Sequence, residues 1–252
     1  MRVFVVSDVH IDYKENQEWL INLSAEEFAD DILILAGDLT EDLNLLRESF
    51  ESLTKKFKKV LFVPGNHELW VVRDKTEHSF KKYYDICEVA AENGVSMEPY
   101  HIGSLSIVPL LSWYDFSFAE PTKMLLETWM DFRLCRWPDE VGQEEVTEFF
   151  IERNRPHLDV KNETVISFSH FLPRIDLMPP YIPQNYRFVY PALGSNLLEN
   201  QVRILNPDIH VYGHSHVNRH VTIDGVKYIN NAFGYPSEHN ISMKELLCVY
   251  ED

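Results

Sequence analysis

Apolar residues gather in short unbroken runs over the first part of the chain. Val3-Phe4-Val5-Val6, Ile32-Leu33-Ile34-Leu35-Ala36 and Val60-Leu61-Phe62-Val63 are rich in branched side chains, the pattern of strands buried on both faces. Between them the repeat turns helical. Trp19, Leu20, Leu23 and Phe28 form one apolar stripe within residues 16–29, and a second helix is expected over about 42–57. Gly37 and Pro64-Gly65 stop the second and third strands. Continuously apolar strands alternating with helices predict parallel pairing beneath those helices. A third helix, over about 77–92, ends at Asn93-Gly94, a good carboxyl-terminal stop.

The rest of the chain is richer in strands. They are expected at 105–110, 164–168, 209–212, 220–223, 227–229 and 246–249. Residues 112–160 are dense in Trp, Tyr and Phe and read as an insert holding two helices. Without repeats, low-complexity tracts or a linker-like stretch, residues 1–252 read as a single domain.

Composition narrows the function classes. With 45% hydrophobic and 25% charged residues the chain is ordinary globular material. Its 40 acidic and 23 basic residues leave a formal charge of -17, which disfavours tracking a nucleic-acid backbone or an anionic membrane. Cys87, Cys135 and Cys248 are widely spaced and form no CxxC pair, so they read as small buried hydrophobes in a reducing compartment. The apolar run at the amino terminus is too short for a signal peptide, and no segment approaches the length of a membrane helix. A soluble, cytoplasmic protein is expected.

Position then says more than composition. Five predicted strands run directly into acidic, amide or imidazole residues: Asp8 and His10; Asp38; Asn66, His67 and Glu68; His170; His214 and His216. In open α/β sheets ligands bind at the carboxyl ends of strands. Gathering two such carboxylates, an amide and several imidazoles in one volume is costly without a cation, because carboxylates repel and buried imidazoles need partners. Manganese, iron or zinc suits that donor set. Asp8 and His10, like His214 and His216, are two residues apart, so each pair on an extended segment points to one side. Two such pairs facing a shared carboxylate suggest two ions rather than one.

These blocks, Asp8-Val9-His10, Gly37-Asp38, Gly65-Asn66-His67-Glu68, His170 and Gly213-His214-Ser215-His216, resemble the calcineurin-like metallophosphoesterase signature, in the expected order. The resemblance implies an α/β fold: a two-sheet β-sandwich flanked by helices, four layers αββα, with a dinuclear metal site at the strand ends. It implies that Asp8, His10, Asp38 and His216 hold one divalent ion. Asp38, Asn66, His170 and His214 would hold the other, with Asp38 bridging. It also implies in-line hydrolysis of a phosphoester by a bridging hydroxide, with His67 as proton donor or charge stabiliser. Glu68 is expected to brace its loop.

In the protein Ser/Thr phosphatases of that superfamily an aspartate three residues past the bridging one orients the histidine; here the position is Glu41, and the Asp-Arg-Gly continuation is absent. A small-molecule, nucleotide-like mono- or diester is therefore the expected substrate, with Arg174, Tyr114 and Phe116 as candidates to bind it. The alternatives are a nuclease-type phosphodiesterase and a non-catalytic scaffold of the same fold.

Overall fold

The computed structural model describes residues 1–252. The three early apolar runs are strands β1 (Arg2–Val6), β2 (Ile32–Leu35) and β3 (Lys59–Phe62). They pair in parallel, Val5 beside Ile34 and Ile34 beside Leu61. Helices α1 (Lys14–Ile21) and α2 (Leu43–Thr54) connect them. Helix α1 stops well short of residue 29. There the Ser24 hydroxyl accepts the N–H groups of Glu26 and Glu27, a local turn that competes with helix. Phe28 still reaches the core, against Phe4 and Phe57.

After α3 (Ser79–Glu92) comes a short hairpin, β4 (Tyr100–Ile102) and β5 (Leu105–Pro109), turning at Gly103. The aromatic segment forms three helices rather than two: α4 (Lys123–Thr128), α5 (Asp131–Leu134) and α6 (Gln143–Asn154). Then follow β6 (Thr164–Phe168), α7 (Asn196–Leu205), β7 (Ile209–Tyr212), β8 (Arg219–Ile223), β9 (Val226–Asn230) and β10 (Leu247–Glu251).

Two mixed sheets result, in the orders β10-β1-β2-β3 and β4-β5-β6-β7-β9-β8, flanked by helices. Alternation along the second sheet sorts its side chains. Ile107, Ile166 and Val211 join Val3, Ile32 and Val60 of the first sheet in the main core. Val108, Val165 and Tyr212 face the other way, under α7. That helix buries Leu198, Gln201, Val202 and Leu205, the spacing of one helical face. Burying its three apolar residues contributes roughly 1.5–3 kcal/mol each.

The sheets are tied together just past the end of β1. Past β9 the chain runs beside the end of β1: Ser7 donates its N–H to Asn231, and Phe233 and Gly234 donate theirs to Ser7 and Asp8. No helix is long and apolar enough to cross a membrane.

Candidate metal centre

Each strand end delivers the residues expected of it. Asp8 and His10 follow β1, Asp38 follows β2, and Asn66 and His67 follow β3. His170 follows β6, and His214 and His216 follow β7. Their donor atoms converge in two groups, Asp8–His10–Asp38–His216 and Asp38–His170–His214, sharing Asp38. His10 Nε2 lies 3.1 Å from His216 Nε2, which is 3.2 Å from Asp8 Oδ1. His170 Nε2 lies 3.1 Å from His214 Nδ1 and 3.2 Å from Asn66 Oδ1. Asp38 divides its oxygens, with Oδ2 4.0 Å from His10 Nε2 and Oδ1 3.5 Å from His170 Nε2.

The outer ring atoms of three imidazoles are fixed by partners on the far side. His170 Nδ1 is 2.9 Å from the Ala36 carbonyl and His214 Nε2 is 3.0 Å from that of Ala192. His216 Nδ1 meets Glu238 Oε2 at 2.6 Å. Such contacts set the tautomer and aim the other nitrogen inward. Glu68 binds no imidazole. Its carboxylate accepts the backbone N–H groups of Gly65, Asp38, Leu39 and Thr40, bracing the two loops that carry Asp38 and Asn66 as expected of it.

The residues present fit a pair of divalent cations. Imidazole nitrogens that face one another at hydrogen-bond distance share at most one proton, so lone pairs are left aimed at common points. The electrostatics agree. Burial, with Glu68 and Asp8 nearby, pushes the Asp38 carboxyl well above its usual range. Burial and the other imidazoles push His10 well below its own, and burial carries His170 down to about 3. His216 alone goes up, to about 10, because Asp8 and Glu238 outweigh its burial. A carboxyl pushed up beside imidazoles pushed down marks a shortage of positive charge around Asp38, His10 and His170, and oxygen and imidazole donors suit manganese, iron or zinc.

The local backbone is unusual. Asp8, His10, Asp38, His214 and His216 have φ of 53°, 47°, 55°, 65° and 53°, the left-handed region that Asp and His tolerate better than most residues. Close packing at two glycines completes the frame. A Cβ on Gly65 would lie 2.1 Å from Asp38 Oδ1, and one on Gly37 2.4 Å from His170 Nδ1. Gly65→Ala is therefore expected to displace Asp38 and weaken manganese binding by roughly 10–100-fold, the scale of a disturbed ligand support. Titration calorimetry with manganese checks this, and an unaltered isotherm refutes it.

A cleft of about 230 Å³ opens over this cluster, lined by His10, Asp12, Tyr13, Glu41, His67, Trp70 and Tyr235. The His67 side chain is 15% exposed, its Nε2 3.7 Å from Asp38 Oδ2. Its ring lies 3.6 Å from that of Trp70 and edge-on to His10. Burial and then His10 hold its pKa well below the ordinary value. Tyr235 stacks on His10 at 4.5 Å and meets Tyr13 at 5.6 Å.

Four expected residues need correction. Glu41 lines the cleft but makes no hydrogen bond to His67; its carboxylate is 3.7 Å from Arg73, which also pairs with Asp12 and Asp42. Tyr114 walls no pocket. It is wholly buried between Trp113 and Phe171, because the aromatic segment packs inward as core. Phe116 lines a separate groove with Asp115, Glu120 and Glu148, shared with none of the clustered histidines. Arg174 is spent on Asp176, Glu199 and Asp224. Trp70, Tyr235, Glu238 and Asp131 were not singled out from sequence: Trp70 alone stands beside a motif, and the other three lie in segments that no motif marks.

Comparison with known proteins gives the same direction. A family model described as calcineurin-like phosphoesterase matches residues 1–218. The acyl-carrier-protein phosphodiesterase PptH of Mycobacterium tuberculosis is 28% identical, over 94% of this chain and 78% of the relative. The crystal structure of phosphopantetheinyl hydrolase from that organism superposes with a TM-score of 0.83 at 24% identity, covering 100% of this chain and 96% of that one. A purple acid phosphatase from yellow lupin seeds gives 0.50 at 14% identity, over 91% of this chain and 43% of its own.

Proposed function

We propose, since this chain belongs to the calcineurin-like phosphoesterase family, that it is a phosphodiesterase whose substrate is a phosphopantetheinyl group carried on a protein. It is a metal-dependent phosphoesterase. What is proposed is the substrate and the part each residue plays. A protein-linked diester replaces the free small molecule expected from sequence, in keeping with the relative that acts as an acyl-carrier-protein phosphodiesterase.

The observation that carries the diester reading is the rim of the cleft. Asp12 and Glu41 line it, no lysine or arginine does, and the nearby Arg73 is already paired with Asp12, Glu41 and Asp42. A phosphomonoester dianion would bring two charges to an acidic rim, whereas a diester brings one. Beside His10 and His67, the remaining wall is Tyr13, Trp70 and Tyr235, faces that suit a neutral amide-containing chain.

In this reading Asp8, His10, Asp38 and His216 hold one divalent ion, and Asp38, Asn66, His170 and His214 hold the other. When bound, the two ions supply Lewis acidity and charge neutralisation for hydrolysis. His67 reaches the cleft from beside Asp38 and presents Nε2 to the leaving oxygen or the phosphoryl group. Trp70 holds that ring from one face. Tyr13 and Tyr235 line the way in and shed water from the neutral part of the substrate.

With manganese present, bis(p-nitrophenyl) phosphate is expected to exceed p-nitrophenyl phosphate in kcat/KM by on the order of tenfold, equivalent to about 1.4 kcal/mol. A carrier protein bearing its phosphopantetheinyl arm is expected to lose it, read by mass spectrometry of the carrier. Preference for the monoester refutes the diester reading. Diester preference with an intact carrier refutes only the carrier.

A further inference from the structure

An asparagine ligates a cation through its amide oxygen, yet the two ends of the amide are nearly equal in size. Some neighbour must decide which end of Asn66 faces inward. Its Oδ1 stands 3.2 Å from His170 Nε2, while Nδ2 points away and donates to Asp131 Oδ1 at 2.8 Å. Asp131 opens α5 in the aromatic segment and is only 2% exposed. The same Oδ1 accepts the indole N–H of Trp70 at 2.7 Å, and Oδ2 accepts that of Trp129, also at 2.7 Å. All three of these partners are N–H donors. A group facing only donors must offer oxygen, so Asn66 can satisfy it only with its nitrogen.

We propose that Asp131 is a positioning residue for the metal centre. It turns Asn66 so that its oxygen faces Asp38, His170 and His214, and it fixes the two indoles set against the imidazoles. Trp70 lies 3.6 Å from His67, and Trp129 lies edge-on to His214 at 5.8 Å. The aromatic segment thus acts on the metal centre from behind rather than as a substrate wall. The inference rests on reading Asn66 as a ligand, and the experiment below separates the two.

Asp131→Leu fills a similar volume and offers no acceptor. Asp131→Asn keeps one oxygen for Asn66 and Trp70 but turns an NH2 toward Trp129, so it is paired with Trp129→Phe to remove the facing donor. Manganese titration calorimetry is combined with electron paramagnetic resonance of the loaded protein and melting of the metal-free protein. In Asp131→Leu one of two ions is expected to weaken by roughly 10–100-fold, the range for a lost outer partner. The other ion keeps its affinity, and the coupled dimanganese signal gives way to a single-ion one. The Asp131→Asn/Trp129→Phe pair is expected to recover both ions.

Two tight ions in Asp131→Leu overturn the proposal. So does failure of the paired variant with the same fall in melting temperature as Asp131→Leu, which makes Asp131 a packing residue. Asn66→Ala separates the premises. If it leaves both affinities intact, the ligand reading falls and the proposal with it. If it weakens one ion while Asp131→Leu weakens neither, only the proposal falls.

Discussion

Asp38→Asn is expected to hold at most one manganese ion per chain and to lose at least about 10³-fold in kcat/KM, the upper end for one lost electrostatic stabiliser. The wild-type carboxylate presents Oδ2 to the His10 side and Oδ1 to the His170 side, at 4.0 Å and 3.5 Å. An amide has one oxygen, so one of those sides meets N–H groups and loses a negative charge. The fold is expected to survive. Asparagine tolerates the φ of 55° found here, and Glu68 holds the backbone N–H of this position whatever side chain it carries. Metal analysis and circular dichroism read the two halves of the expectation. Full dinuclear occupancy in the folded variant would sink the bridging role.

His67→Asn is expected to bind two ions with unchanged affinity while kcat falls by roughly 10²–10⁴, the range for a lost general acid or base. The separation is possible because His67 approaches Asp38 Oδ2 only to 3.7 Å and rests chiefly on Trp70. A series of aryl leaving groups distinguishes its roles. If the ring protonates the leaving oxygen, the loss shrinks as the leaving-group pKa falls. An equal loss across the series assigns the ring to phosphoryl charge. Weakened manganese binding would instead move His67 among the ligands.

Much of the first sheet was legible because its strands are buried on both faces and need no partner-specific side chains. The clustering of Asp8, Asp38, Asn66, His170 and His214 was legible for a related reason: strand ends fix position along the chain and in space together. Helix α7 was not anticipated. Its apolar residues, Leu198, Val202 and Leu205, make sense only once the second sheet offers Val165 and Tyr212 for them to cover. The pairing of β10 with β1 depends on a contact between distant segments, with a register shift at Val3 and Phe4. The aromatic segment misled for a physical reason. Residues spaced two apart suggest one exposed and one hidden face, but Trp113 and Tyr114 are both fully buried. What that segment brings to the centre is a carboxylate, Asp131, that no motif marks.

The left-handed backbone at the strand ends has a practical consequence for anyone engineering a hardier version of this protein. A search that scores positions by backbone fit alone would flag Asp8, His10, Asp38, His214 and His216 for glycine, each relieving about 1–2 kcal/mol at most. Every such gain would remove a donor atom from the cluster. Durability has to be sought where the same backbone carries no chemistry, at exposed Lys75 and Glu140, whose φ values are 56° and 68°. The exposed positions and those of the cluster share one conformation, and only the side chains tell them apart.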